Sequence, residues 1–397
     1  MKAMDFALQA ALDERALSHL YRKRLTHAGP QKPFLQVGGE PLLAFCSNDY
    51  LGLAADPQVV SALTKAAHEY GCGGGASHLV CGHSQAHHQL EEELAEFTGR
   101  ERALLFSNGY MANMGVITAL THASDAIFQD KLNHASLIDG GLLSRAKFNR
   151  YPHLNYDLLE KRLMQSEANR KLVVSDGVFS MDGDTADINC LSHVCQSHNA
   201  WLMIDDAHGF GCLGENGGGV SELYGASQEN VPILIGTLGK AFGTSGAFVV
   251  GSNALIETLI QFARTYIYTT SLSPAIAEAT RVSLSLIQTE GWRRQQLRAL
   301  IAYFKNGCQA LNLPLMPSST PIQPLHVGCS QQALKISDAL RKKGMLVTAI
   351  RPPTVPDGQS RLRVTLTALH DFTHLDQLLD ALSDLGSLFV EPMEREL

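Results

Sequence analysis

Between residues 103 and 251, six short apolar runs recur with helical patterns between most of them: ALLFS (103–107), AIFQD (126–130), KLVVSDGVF (171–179), WLMIDD (201–206), PILIGTL (232–238) and GAFVVG (246–251). Runs of this length, separated by helices, suit strands buried on both faces and joined by helical crossovers. The alternation extends from about residue 46 to 280 and predicts an α/β fold built on a largely parallel sheet. It also says where chemistry belongs, because ligands of such sheets collect outside the carboxyl ends of the strands.

Two segments at those ends stand out. Lys240 follows VPILIGTL (231–238) and precedes AFGTSGAFVVG (241–251), a pattern of strand, tight turn and second strand. A lone lysine is ordinarily a solvated surface residue. One held in a fold interior can become nucleophilic and form a Schiff base with a carbonyl cofactor. Upstream, WLMIDDAHG (201–209) ends an apolar run with Asp205 and His208. An aspartate there can hold a protonated ring nitrogen. Together the two supply what pyridoxal 5'-phosphate (PLP) requires, a tether and a counter-charge.

Other residues carry weaker signals. Ser107, Asn108 and Gly109 lie between a strand and a helix, so the free N–H groups there could cradle a phosphate or simply form a capped turn. His134 follows a strand end and could stack on a flat cofactor, although a single histidine is more often structural. Arg351 precedes Pro352 and Pro353, whose restricted φ would fix a guanidinium for a bidentate grip on a carboxylate.

Several alternatives fail on context. GCGGGASHLVCG (71–82) resembles a dinucleotide fingerprint but follows a helical pattern rather than a strand, which leaves a loop lining a pocket. Gly239–Lys240 is not a Walker A motif, since Leu234 and Ala241 occupy its key positions. His87 and Glu91 have ligand spacing on a helix but no third ligand of obvious pattern. A solvated or capping role is expected there, and no metal. Reading Asp205 and His208 as metal ligands would leave Lys240 without a function.

The formal net charge of −7, without a basic cluster, argues against nucleic-acid binding. Eight cysteines without a CxxC pair fit a reducing cytoplasm, and the charged N-terminus lacks a signal-peptide run. No apolar run is long enough to span a membrane. The expected organisation is an N-terminal helix over 4–25 and a hairpin over 29–41 within segment 1–45, then a large α/β domain over 46–285. A smaller α+β domain over 286–397 follows. It is entered by one long helix (282–310) and a Pro-rich stretch (315–328), and holds strands at 345–350 and 360–367 and helices near 331–343 and 372–387.

In order along the chain stand SNDYLGL (47–53), the glycine loop (71–82), LLFSNGYMAN (104–113), LNHASLIDG (132–140), VFSMDGD (178–184), IDDAHGFGCLG (204–214), TLGKAFG (237–243) and RPPTVPDGQSRLR (351–363). The series resembles the α-oxoamine synthases, PLP enzymes of the aspartate-aminotransferase fold type (fold type I), over roughly 20–390. The resemblance implies that Lys240 carries PLP, Asp205 pairs with its ring nitrogen, His134 stacks on the ring, and His208 and Ser180 contact the ring oxygen. Gly109, Tyr110 and Thr237 would hold the phosphate. Asn48 and Arg351, beside His134, would take the amino-acid carboxylate, with Arg22 and Thr354 helping to hold acyl substrate or product. It further implies a homodimer with shared sites, in which Thr269 and Thr270 reach the partner's cofactor. RPPTVP and TPIQPL (320–325) look most like members that condense L-alanine with pimeloyl-CoA or pimeloyl-acyl carrier protein. A glycine-using relative, an aminotransferase and a non-catalytic PLP-fold subunit are the alternatives. Ser273 and Asp187 depart from the family pattern, where prolines are usual, and touch no residue assigned to chemistry.

Overall fold

The computed structural model describes Phe6 and residues 8–389. These form two compact units, one of Asn48–Leu297 and one joining the chain up to Ser47 with the chain from Arg298 onward.

Early in the chain come β1 (His27–Ala28), β2 (Phe34–Val37) and β3 (Glu40–Ala44). Gly38 and Gly39, at φ of 63° and 89°, form the turn between β2 and β3, a conformation that favours glycine. The expected N-terminal helix is shorter than its pattern. It spans Leu8–Leu17, buries no residue, and the chain turns at His19, where φ is +56°. With no apolar face docked within its unit, nothing holds further turns, since most helical stability comes from packing. Residues 4, 5 and 7 of the expected helix lie outside the described residues.

The larger unit holds β4 (Arg102–Phe106), β5 (Ala126–Asp130), β6 (Lys147–Tyr151), β7 (Lys171–Asp176), β8 (Trp201–Asp205), β9 (Ile233–Thr237) and β10 (Ala247–Gly251) in the order β4-β10-β9-β8-β7-β5-β6. All six expected strands are present. All pairings are parallel except the two that β10 makes, with β4 and with β9. So β4, β5, β7, β8 and β9 run the same way, and their carboxyl ends share one edge of the sheet. Val116, Ile127, Val174, Met203, Ile235, Val249 and Leu259 belong to one core that joins this sheet to its flanking helices.

The expected single helix over 282–310 is two, Pro274–Thr289 and Trp292–Ala310, with the break at Glu290–Gly291. Glycine interrupts the ladder there at the position of a helix end. In the smaller unit, β11 (Ile322–Gly328), β13 (Thr348–Ile350) and β14 (Ser360–Thr365) form a three-stranded sheet, while β12 (Met345–Leu346) extends the sheet of β1 to β3. The stretch expected as Pro-rich connection is thus partly a strand. The other two expected helices are Ser330–Lys342 and Phe372–Asp384.

One buried ion cluster braces the edge of the large sheet. His153 lies between Asp130 (3.1 Å) and Asp184 (2.8 Å). Burial opposes its charging, but the hydrogen bonds and charges of the two carboxylates outweigh burial and lift its pKa to about 9. A pKa raised by folding stabilises fully below the unfolded value of about 6.5 and is lost as pH rises through about 9. Chemical denaturation between pH 6.5 and 9 is therefore expected to show a loss of stability that His153→Gln lacks.

Candidate active site

The connections after β4, β5, β7, β8 and β9 carry nearly every residue that the sequence assigned to cofactor chemistry. After β9 the chain turns through Lys240 and returns as β10. The turn depends on Gly243, at φ +68°, where a Cβ would lie 2.3 Å from the backbone nitrogen of Ala54. Only a glycine lets TLGKAFG seat against the end of SNDYLGL, and this contact brings the two motifs together.

That juxtaposition builds a chain of hydrogen bonds. Lys240 Nζ is 2.8 Å from His208 Nε2, and His208 Nδ1 is 2.6 Å from the hydroxyl of Tyr50. The hydroxyl in turn donates to Asn48 Oδ1 at 3.2 Å. Tyr50 has one proton, so the consistent arrangement puts a proton on His208 Nδ1 and leaves Nε2 to accept from the lysine. Tyr50 and His208 are buried. Tyr50→Phe is expected to cost about 1 kcal/mol of stability, the worth of one buried hydrogen bond. It should also lower kcat more than it raises KM, because it frees the His208 ring that aligns Lys240. Denaturant titration beside steady-state kinetics checks both.

A second network holds Asp205, buried at the end of β8. Its Oδ2 accepts from Asn113 Nδ2 at 2.6 Å and its Oδ1 from the backbone N–H of Ala207 at 3.0 Å. Asn113 also donates to Ser136 Oγ (2.8 Å), which lies 2.7 Å from His134 Nδ1. His134 caps the helix Ala135–Leu143. Burial holds its imidazole below the usual range, with Asp205 opposing and Lys240 reinforcing the shift, so the ring is neutral near pH 7. Its backbone N–H donates to Asp176 (2.7 Å), whose carboxyl burial and the Asp205 charge push far up.

At the end of β4, Asn108 caps the helix Gly109–Leu120 by accepting from Met111 N–H at 2.9 Å. Among the described residues no acceptor is bonded to the N–H of Gly109 or Tyr110, and a Cβ on Gly109 would meet nothing within 4 Å. The start of this helix therefore offers aligned N–H groups facing open space, which favours an anion. The Tyr110 hydroxyl donates to Asp139. Ser107 Oγ donates to the carbonyl of Thr270 (3.2 Å), which places the Thr269–Thr270 segment beside the same turn. Thr237 ends β9 and donates to Gly246. Ser180 lies in the tight turn after β7, where Val178 bridges Thr185.

The remaining expected residues lie in the smaller unit. Arg22 donates to Thr354 Oγ1 at 3.2 Å, and Arg351 donates to the carbonyls of His19 and Tyr21. Asn48 belongs to the larger unit. Sequence reasoning gave no role to Asn113, Ser136, Asp176 or Tyr50. Asn113 and Ser136 lie within motifs that carry the family resemblance, but nothing in the sequence gives either a role, and only the network reveals one. The two family departures both stand at helix starts: Asp187 caps its helix by accepting from Cys190 N–H, and Ser273 precedes Pro274 without a side-chain capping bond.

The donor set fits a flat, cationic ring bearing an aldehyde and a phosphate. It offers an amine, a buried carboxylate, a neutral imidazole and a helix N-terminus on one sheet edge.

The model of the aminotransferase class I and II family matches residues 40–382. An 8-amino-7-oxononanoate synthase of Saccharophagus degradans is 59% identical over 385 residues, 96% of this chain and 97% of that protein. A structure of SPT with PLP superposes with TM-score 0.91 at 29% identity over 97% of this chain and 99% of that one. The crystal structure of 8-amino-7-oxononanoate synthase from Francisella tularensis does so with TM-score 0.77 at 33% identity, over 87% of this chain and 98% of that one. The chain belongs to the aminotransferase class I and II family and groups, within it, with the 8-amino-7-oxononanoate synthases.

Proposed function

We propose that this chain is a PLP-dependent acyltransferase of biotin biosynthesis. It joins L-alanine to a pimeloyl thioester and releases free thiol, CO2 and 8-amino-7-oxononanoate. The observation that carries the reading is the Lys240–His208–Tyr50–Asn48 chain set beside the Asp205–Asn113–Ser136–His134 network on one sheet edge. The relatives at 58–59% identity share the same reaction in their names.

Lys240 is the residue that would hold the cofactor, with Asp205 at its ring nitrogen, His134 against its face and the helix start at Gly109 and Tyr110 taking its phosphate with Thr237. His208 and Ser180 would meet the ring oxygen. When bound, PLP takes up the electron pair left on the amino acid's Cα once its proton is gone. Removal of that proton falls to the Lys240 amine, which His208 Nε2 orients and Tyr50 keeps in one tautomer. Asp205 is held in place by Asn113 and the Ala207 N–H, which both donate to its carboxylate. Asn48 and Arg351 would grip alanine's carboxylate, and Arg22 and Thr354 the acyl chain. The proposal is completed by a homodimer, in which Thr269 and Thr270 serve the partner's site, and by a cytoplasmic location. No described helix is long and apolar enough to cross a membrane, and the eight cysteines form no disulfide.

Amino-acid selectivity tests the substrate. With pimeloyl-CoA, the PLP-loaded protein should release thiol with L-alanine and little with glycine. Release with glycine alone would move the chain to a glycine-using sister activity.

A further inference from the structure

Away from this site, the glycine loop ends in a single π-turn, His78–Gly82, and is followed by the helix Gln85–Thr98. Together they bring His78, His83, His87, His88 and Glu91 into one cluster. The roles within it separate cleanly. His87 is structural: its Nδ1 accepts the N–H of Ser84 (3.0 Å) and its Nε2 meets the carbonyl of Leu272 (2.7 Å), so both nitrogens are occupied. The capping role expected from sequence is the one it plays.

His83, His88 and Glu91 are different. His88 and Glu91 are three residues apart and share one face of the helix. Each of the three offers an atom within 4.8 Å of the other two. They line a cavity of about 300 Å³ with room for further ligands or water.

The surroundings orient Glu91 and His83 as metal ligands are oriented, while His88 Nε2 lies 3.4 Å from Glu92 Oε1 at the surface. Glu91 Oε1 accepts the N–H of Leu105 at 2.9 Å, which leaves Oε2 facing His83 Nε2 at 4.0 Å. On its other side, His83 Nδ1 is 2.9 Å from His78 Nδ1. A proton on His83 Nδ1 donated to His78 makes Nε2 a lone pair aimed toward a carboxylate oxygen. The two atoms are 4.0 Å apart, too distant to hydrogen-bond to one another and spaced to receive a cation between them. Ligands at about 2.1 Å from a tetrahedral ion sit roughly 3.4 Å apart, so a small closure suffices. An imidazole fixed through its second nitrogen and a carboxylate fixed through its second oxygen are the outer-sphere pattern of a metal centre.

We propose that His83, His88 and Glu91 bind a divalent transition cation of the Zn2+, Co2+ or Ni2+ class at a two-histidine, one-carboxylate site with open positions toward the cavity. Bound metal would clamp the helix to the glycine loop, against which Ser271 is already held by hydrogen bonds to Gly82 and Ala76.

The test is titration of chelator-stripped, PLP-loaded protein with Co2+, read by its visible ligand-field bands and by equilibrium dialysis. One saturable ion per chain is expected. His83→Ala and His88→Ala should each weaken it at least about tenfold, as loss of a ligand requires. Both side chains are partly exposed, so both variants should fold. A Cys72→Ser, Cys81→Ser double variant, which removes the exposed thiols of the same loop, should leave binding unchanged. Failure to saturate, undiminished binding in the histidine variants, or loss of binding with the thiols would each overturn the assignment. Because the readout is metal occupancy, the result does not depend on the proposed condensation.

Discussion

Lys240→Ala is expected to lower turnover at least ~1,000-fold while the protein remains folded, because it removes both the anchoring amine and the general base. The structure makes the fold prediction specific. Lys240 lies in the turn between β9 and β10, and its side chain meets His208 without belonging to the core. The turn is fixed instead by the backbone bond from Gly243 to the Lys240 carbonyl (2.8 Å) and by the packing of Gly243 on Ala54. Compared without cofactor, the stability of the variant should therefore stay within about 1 kcal/mol of the wild type. Its absorbance should lack the protein-bound cofactor band. Wild-type turnover in the variant would remove the basis of the proposed function.

Asp205→Asn is expected to cost about 100- to 1,000-fold in kcat, the effect of deleting one preorganised charge. Asp205 is held by two donors, Asn113 Nδ2 on one oxygen and Ala207 N–H on the other. An amide has one acceptor and one donor end, so either orientation turns an NH2 group toward a donor. A stability loss of roughly 1–3 kcal/mol should accompany the kinetic one. The pair of readouts separates electronics from packing. Asn113→Ala should also destabilise, since it strips the carboxylate and Ser136 of a shared donor. It should reduce kcat less than Asp205→Asn, because the charge remains. Equal kinetic losses in the two variants would show that positioning, not charge, is the function of Asp205.

Legibility in the sequence followed burial and sheet position. Interior strands such as AIFQD and WLMID are buried over most of their length and read directly as apolar runs. The strand KFNRY is an edge of the large sheet, only its last residue is buried, and its polarity hides it. IQPLHVG is hidden for another reason. Pro324 suggests a connection, but β11 is an edge strand, where a missing N–H is tolerated. The N-terminal pattern overreaches because helical periodicity does not require a docked face. Within the site, Lys240, Asp205, His208 and His134 are legible because strand ends expose them to chemistry. Asn113 is not, since it lies inside the apolar helix GYMANMGVITAL and gains meaning only when Asp205 approaches it from β8. The His83–His88–Glu91 face was obscured by counting His87, whose spacing to Glu91 is right but whose nitrogens serve the helix cap.

The most direct measurement follows the carboxyl carbon of alanine. PLP-loaded protein is given L-alanine labelled in its carboxyl carbon together with pimeloyl-CoA, and labelled CO2 and free thiol are quantified in the same reaction. Decarboxylative condensation predicts equal amounts of both and an unlabelled amino-ketone product. Thiol release with the label retained in the product, or amino transfer to 2-oxoglutarate without thiol release, would contradict it.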